Sequence, residues 1–307
     1  MKLLKNTIAG YRYKHWTLNE TIAYFFMGVA RELNIAPIFF RDIFLKVALK
    51  NFKKKFSTTE SHFDFNGALF PDISSDKDNF FSFAYAVFED TFLIPCLYNN
   101  NHDKTVVEFL DKYLAEGPYG YKDDAFDVTI HKNDIVIDAG AWFGDFSAYA
   151  SSLDAVTYAF EPVECNFQML CKTAELNGEI YPVKKGLGSS ECDMDIFICN
   201  TNSGAHSLVV EKGDSTLTEK IELTTLDQFV EENKLERVDF IKADIEGAER
   251  DMLKGATQTL KKFAPKLAIC TYHLPDDPQV LEQIIMDANP NYKVVHLRHK
   301  LMAAVVK

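Results

Sequence analysis

Asp138 closes the apolar run "DIVIDA", and Gly140 and Gly144 follow within six residues. An acid at the end of a hydrophobic strand, then a glycine turn, suits a ligand held at a strand's carboxyl end, because glycine lets backbone approach closely. Alone, the pattern equally describes a tight strand-to-helix connection. A second acid sharpens it. "TYAFEP" ends on Glu161, about twenty residues beyond Gly140, where a carboxylate can accept hydrogen bonds from both hydroxyls of a ribose. Pro162 stops that strand at once. Further on, "KADIEGAE" carries Asp244 and Glu246, candidates to contact a cofactor or help remove an acceptor's proton. Glu249 better suits the first turn of a helix, where an acid complements the macrodipole. "CTYHLPDD" carries His273, which can take a proton near neutral pH and is the candidate general base.

The turn also discriminates between cofactors. A dinucleotide's pyrophosphate wants the amides of a G-x-G-x-x-G turn at a helix N-terminus. In "DAGAWFGD" the middle glycine is Ala141, Trp142 intervenes, and Asp145 sets a negative charge where the pyrophosphate would lie. Acids at Asp138 and Asp145 favour a cationic cofactor with an ammonium and a sulfonium, S-adenosylmethionine, over a nicotinamide dinucleotide. Asp138, Gly140, Ala141, Gly144, Asp145, Glu161, Pro162 and Asp244 are assigned to it. In "AEGPYGYKDD", Tyr119 is placed against the cofactor and Tyr121 at the acceptor entrance; the alternative is a rigid turn built by Gly117, Pro118 and Gly120. His206 in "NSGAHSL" is placed on the acceptor side, against the commoner surface-loop histidine. A divalent cation on Asp244, Glu246 and a loop acid such as Asp276 is a minor alternative. No compact motif demands it, and no metal is expected.

The elements that must position these residues follow from periodicity. From about Asp127, strands and helices alternate: "DIVIDAG" strand, "GDFSAYASS" helix, "AVTYAFEP" strand, "ECNFQMLCKTAELNG" helix, "EIYPVKKG" strand. "CDMDIFICN" and "EKIELTT" alternate as two-sided strands. "LDQFVEENK" (helix), "VDFIKADIEG" (strand), "AERDMLKGATQTLKKF" (helix), "KLAICTYH" (strand) and "DPQVLEQIIMDAN" (helix) precede two final strands in "YKVVHLRHKLMAAVVK". Such alternation implies right-handed crossovers and a mostly parallel sheet, an α/β fold. The last two strands are too close for a crossover and should pair antiparallel. Residues 1–122 read as a mainly helical N-terminal region, with apolar spacing in "TIAYFFMGVARELN", "RDIFLKVALKNFKKKF" and "DKTVVEFLDKYLAEG". The segment 56–77 reads as loop. The catalytic domain is expected over 123–307.

Composition narrows the classes. The chain has 307 residues, 47% hydrophobic and 25% charged, which predicts a packed globular core. Its six cysteines form no C-x-x-C pair, so they read as reduced, with an intracellular, cytoplasmic location expected and no structural zinc. No signal-peptide pattern opens the sequence. Residues 1–55 carry a local charge of about +8 within a chain of net −12. An acidic catalytic region repels phosphate and argues against a nucleic-acid partner. The basic head is expected to pack as a cap or homodimer contact; docking on an anionic membrane is the weaker alternative.

"DIVIDAGAWFGDFS", "AFEPVECNF", "TTLDQF", "VDFIKADIEGAERDML" and "AICTYHLPDD", in that order, resemble the FkbM-type methyltransferases, a class I, Rossmann-like, S-adenosylmethionine-dependent family. The resemblance covers roughly residues 117–307. It implies a seven-stranded sheet with the last strand reversed and methyl transfer to oxygen, commonly on sugars or natural-product hydroxyls. The expected partner is thus a small-molecule or glycan acceptor. Trp142 departs from the pattern, standing where the family often has Asn. A nicotinamide-dependent dehydrogenase, or a non-catalytic module that keeps the fold, are the competing readings.

Overall fold

A computed structural model of the chain describes residues 56–72 apart from 60 and 66, residues 119–122, 125–197 and 218–306 apart from 298, and scattered helical positions between 18 and 29. Most of the expected N-terminal helices, the helix over 103–117 and His206 lie outside the described residues.

Three short strands come first: β1 (Phe56–Thr58), β2 (His62–Phe65) and β3 (Ala68–Pro71), an antiparallel sheet where a loop was expected. The Ser, Thr, Asp and Pro content hid its signal. Phe63 and Phe65 alternate with His62 and Asp64, and Asn66-Gly67 is a two-residue hairpin sequence. Gly67 takes φ 95°, and its amide donates to Asp64 Oδ1 at 2.8 Å. β3 then docks on the following domain as if on another strand. The Leu69 amide donates to Asn177 Oδ1 at 3.0 Å, and Asn177 Nδ2 donates back to the Leu69 carbonyl at 2.7 Å.

The pair β4 (Tyr121–Lys122) and β5 (Asp127–Val128) leads into the catalytic domain. There follow β6 (Ile135–Ala139), α1 (Asp145–Ser152), β7 (Val156–Phe160), α2 (Glu164–Leu176) and β8 (Ile180–Val183). Next come β9 (Gly186–Leu187), β10 (Cys192–Phe197), β11 (Thr218–Thr224) and α3 (Leu226–Glu232). The last elements are β12 (Phe240–Ala243), α4 (Glu249–Lys254), α5 (Thr257–Phe263), β13 (Lys266–Cys270), α6 (Asp277–Ala288), β14 (Tyr292–His296) and β15 (Lys300–Val305).

Seven strands form the main sheet in the order β14-β15-β13-β12-β6-β7-β8. β6, β7, β8, β12 and β13 run parallel; β15 inserts antiparallel between β13 and β14. That is the expected α/β architecture with its reversed last strand. β12 is buried throughout and β6 at all but its first residue, because helices cover both faces of a parallel sheet. Pro182, which has no amide to donate, sits in the edge strand β8.

Two expected elements divide. "EIYPVKKG" yields β8 and β9, and β9 leaves the main sheet to pair with β11. "AERDMLKGATQTLKKF" yields two helices, parted at Gly255. The Gly255 carbonyl accepts the Asp227 amide at 2.9 Å, and a Cβ on Gly255 would run into the Gly188 carbonyl. Close backbone approach to a neighbouring loop breaks the helix. Gly255→Ala is therefore expected to cost about 2–3 kcal/mol of stability by forcing that contact apart. Urea unfolding within about 0.5 kcal/mol of the parent would show that the loop moves aside freely.

Candidate active site

The carboxyl ends of β6, β7 and β12 meet at one cleft. Gly140 forms its floor with φ 76°, and a Cβ there would strike the Asp244 carbonyl. The amides of Gly140 and Ala141 donate to the Phe160 carbonyl at 3.1 and 2.9 Å, which bolts the turn to the end of β7. Trp142 also adopts a left-handed conformation, φ 49°, a strained one for a bulky side chain. Asn, the residue that the family resemblance leads one to expect here, tolerates that conformation better. The Trp142 ring stacks on Phe143 and packs in the cluster that includes Ala68 and Phe70 of β3.

Glu161 faces the cleft from the end of β7. Its Oε2 accepts the Trp142 amide at 3.0 Å, and its Oε1 accepts the Val163 amide at 3.0 Å. Burial nevertheless pushes its pKa up to about 7, against the pull of those amides, Asn166 and the Lys242 charge. Val163, Leu187, Ile196 and Ile221 make an apolar wall beside it, the last two supplied by the β10–β11 hairpin. At the other end stand Asp244 and Glu246.

Behind the floor is a buried ion pair. Lys242 Nζ lies 3.0 Å from Asp138 Oδ1 and donates to the Gly140 carbonyl at 2.6 Å. Ser147 Oγ donates to the other Asp138 oxygen at 2.6 Å. Burial disfavours the lysine's charge, but Asp138, Asp244 and Asp145 together raise its pKa above the usual value.

Asp244 is held by two tyrosines. Tyr119 Oη donates to its Oδ2 at 2.6 Å and Tyr272 Oη to its Oδ1 at 3.2 Å. Burial raises its pKa, but the charges of Lys242, His273 and Lys300 and the Tyr119 hydroxyl outweigh burial and bring it down to about 2. Glu246 sits in a left-handed turn, φ 56°, followed by Gly247 at φ 106°. Glu249 fastens that turn: its two carboxylate oxygens accept the amides of Ile245 and Gly247 at 2.9 and 3.1 Å.

His273 enters from the end of β13, its side chain only 2% exposed. Nδ1 lies 3.0 Å from Glu249, and Nε2 lies 3.3 Å from Glu246 and 3.6 Å from Asp244. Neither nitrogen completes an aligned hydrogen bond. Burial lowers its pKa, but Glu246, Glu249 and Asp244 outweigh it and hold the ring's proton up to about pH 10. These three acids favour the charged ring, whereas a general base must start neutral, which weighs against the role expected of His273.

The methyltransferase FkbM domain family matches residues 138–294, about half of the chain. The chain belongs to the FkbM methyltransferase family. A hexuronic acid methyltransferase of Haloferax volcanii is 25% identical over 167 residues, covering 54% of this chain and 67% of its own. "Methyltransferase 1" of Beauveria bassiana is 25% identical over 182 residues, 52% of this chain and 71% of its own. The crystal structure of an FkbM methyltransferase from Methylobacillus flagellatus is 20% identical, with a TM-score of 0.44, and covers 75% of this chain and 60% of that one.

The family's methyl donor is S-adenosylmethionine, and the cleft suits its chemistry. A buried carboxylate stands beside an apolar wall, as a ribose and a flat base require, and the opposite end is acidic, as a sulfonium and an ammonium require. Of the residues assigned from sequence, Gly140, Glu161, Pro162, Asp244 and Glu246 line it. Asp138 does not; it stands behind the floor on Lys242. Ala141 packs against Ala159 and Leu170. Gly144 caps α1 at φ 88°, and a Cβ would press on Leu170 and Thr173, so helix packing demands it. Asp145 is the buried first residue of α1. Tyr119 acts on the site through Asp244. Tyr121 lies against Phe126 in the core beneath the sheet, not at an acceptor entrance. Asp276, the loop acid considered for a cation, is paired with Arg250 at 2.6 Å. Sequence reasoning missed Lys242, Lys300, Tyr272 and the hairpin isoleucines, whose contacts arise only in three dimensions.

Glu161 gives the site a pH dependence. If Glu161 holds a ribose, the hydroxyls donate to its ionised carboxylate, so binding is expected to be strongest above its pKa and to weaken as pH falls through about 7. S-adenosylhomocysteine should bind up to tenfold more weakly per pH unit below that point, and Glu161→Gln should flatten the profile. Glu161→Ala should cost about 2–3 kcal/mol of binding. Calorimetry giving unchanged affinity in folded Glu161→Ala would remove the ribose assignment.

Proposed function

We propose that this FkbM methyltransferase methylates a hydroxyl oxygen of a sugar or glycosylated acceptor. The observation that carries the proposal is the pairing, in one cleft, of the buried Glu161 carboxylate beside an apolar wall with Asp244 and Glu246 at the far end. The name of the Haloferax volcanii relative, a hexuronic acid methyltransferase, supports a carbohydrate acceptor.

S-adenosylmethionine, when bound, supplies a methyl carbon made electrophilic by its sulfonium. The chain's work is then orientation and proton handling. Glu161 accepts from the ribose, and Val163, Leu187, Ile196 and Ile221 exclude water from the base. Asp244, kept ionised by Lys242, His273 and Lys300 and aimed by Tyr119, offsets positive charge at the cofactor's reactive end. Glu246, which lines the acid end of the cleft, takes the proton from the acceptor hydroxyl. The oxygen's electron pair forms the new bond to carbon as the carbon–sulfur bond breaks.

Two experiments test this. Methyl-labelled cofactor offered with hexuronic acids, neutral sugars and glycan extracts should give a methyl ether on a sugar oxygen by mass spectrometry. Label found only on nitrogen or carbon acceptors would overturn the oxygen assignment. Glu246→Gln should lower kcat about a hundredfold while S-adenosylhomocysteine affinity holds. Near-parental turnover would exclude Glu246 as the base.

A further inference from the structure

Three carboxylates and one imidazole converge where the β12 and β13 loops meet. Asp244, Glu249 and His273 each offer one ligand atom, and these atoms lie within 4.8 Å of one another. The histidine side chain is 2% exposed, and both its nitrogens lack an aligned hydrogen bond. Such a group ordinarily finds a partner when buried. The acid contacts divide between the two ring nitrogens, Glu249 at 3.0 Å from Nδ1 and Asp244 at 3.6 Å from Nε2, so a single ion takes one nitrogen and both acids close on it from within the 4.8 Å cluster.

We infer that Asp244, Glu249 and His273 form a binding site for a divalent transition cation, beside the acidic end of the methyl-transfer cleft. The donor set is two carboxylates and an imidazole, which suits Mn2+ to Zn2+ better than Mg2+ or Ca2+, whose sites are all oxygen. The supporting contacts that ligands need are present: Tyr119 and Tyr272 orient Asp244, and the Ile245 and Gly247 amides orient Glu249. Lys242 and Lys300 balance part of the charge on Asp244; a divalent ion binding here displaces the imidazole proton that the acids favour and takes its place in the charge balance. Asp276, held by Arg250, takes no part. At this place a cation has the acceptor hydroxyl as its natural further ligand, and lowers that hydroxyl's pKa so that Glu246 can remove the proton. This role rests on the methyl-transfer reading of the cleft.

Mn2+ alone is the probe. The full-length protein, with and without S-adenosylhomocysteine, is titrated with Mn2+ while the free-ion electron paramagnetic resonance signal is followed. One ion per chain should be taken up at micromolar concentration, with at least tenfold weaker uptake in His273→Gln and in Asp244→Asn. Asp276→Asn should take up the ion as the parent does. No uptake below millimolar Mn2+ by the parent protein overturns the inference, as does undiminished uptake by His273→Gln. Circular dichroism checks that the variants fold; if His273→Gln does not, parental stoichiometry and Asp244→Asn still decide. Calorimetry with S-adenosylhomocysteine in the absence of metal reports on the methyl-transfer reading separately, so either can fail alone.

Discussion

The ammonium of Lys242 holds the floor of the cleft to the sheet. One group reaches three others: the Asp138 carboxylate near the end of β6, the carbonyl of Gly140 just beyond that strand, and, through charge, Asp244 two residues on, just past the end of β12. A lysine in a strand buried at every position is costly to desolvate, and a well-packed apolar side chain would often be at least as stabilising. The ion pair is explained by placement. It fixes the carbonyl of the one turn whose backbone must lie flat under a ligand, and it keeps a positive charge beneath Asp244. Removing either partner strands a buried charge, a loss of about 3–5 kcal/mol in comparable pairs.

From that anchor, charge alternates outward through the site. Asp138 faces Lys242, Lys242 faces Asp244, and Asp244 and Glu249 face His273. The charges of Lys242, His273 and Lys300 bring Asp244 down to about 2, and Glu246, Glu249 and Asp244 bring His273 up to about 10. The tyrosines add direction without charge. Tyr119, packed edge-on against Phe146 and flanked by two lysines, has its hydroxyl fixed toward Asp244. The N-terminal sheet joins the same assembly through Trp142, whose backbone amide serves Glu161 while its ring packs in the cluster with Phe70. Its strained conformation is sustained by that double attachment.

What was legible in the sequence is what depends on period and on short spacing. The β6–α1–β7 unit shows itself by apolar runs and a glycine turn, and Glu161 by its distance from that turn. The illegible part depends on contacts between separate segments of the chain. Lys242 reads as a stray polar residue in a strand until Asp138 is beside it. Gly144 reads as a ligand glycine until Thr173 occupies the space a side chain would need. His273 was placed at the right strand end without its acid neighbours, because Asp244 and Glu246 come from a loop that periodicity does not fold and Glu249 reads only as a helix's first turn. The β1–β3 sheet carried a plain hairpin signal, masked by a composition that suits loops equally well.

Glu161 shows how such a site depends on its ligand. Its carboxylate accepts two backbone amides and is still raised to about 7, so burial outweighs the hydrogen bonds the chain can offer. With a folded pKa above the ordinary 4.5, its protonated form is favoured by folding; that stability is complete at low pH and is lost as pH rises through about 7. The shift corresponds to about 3 kcal/mol. At neutral pH the empty protein therefore carries a partly ionised, under-solvated carboxylate. Donor hydroxyls arriving there replace the missing water, and they stabilise the ionised form that the fold alone disfavours. Binding and folding are thereby linked through a single side chain: the ligand adds most stability in the pH range where the unliganded site loses it.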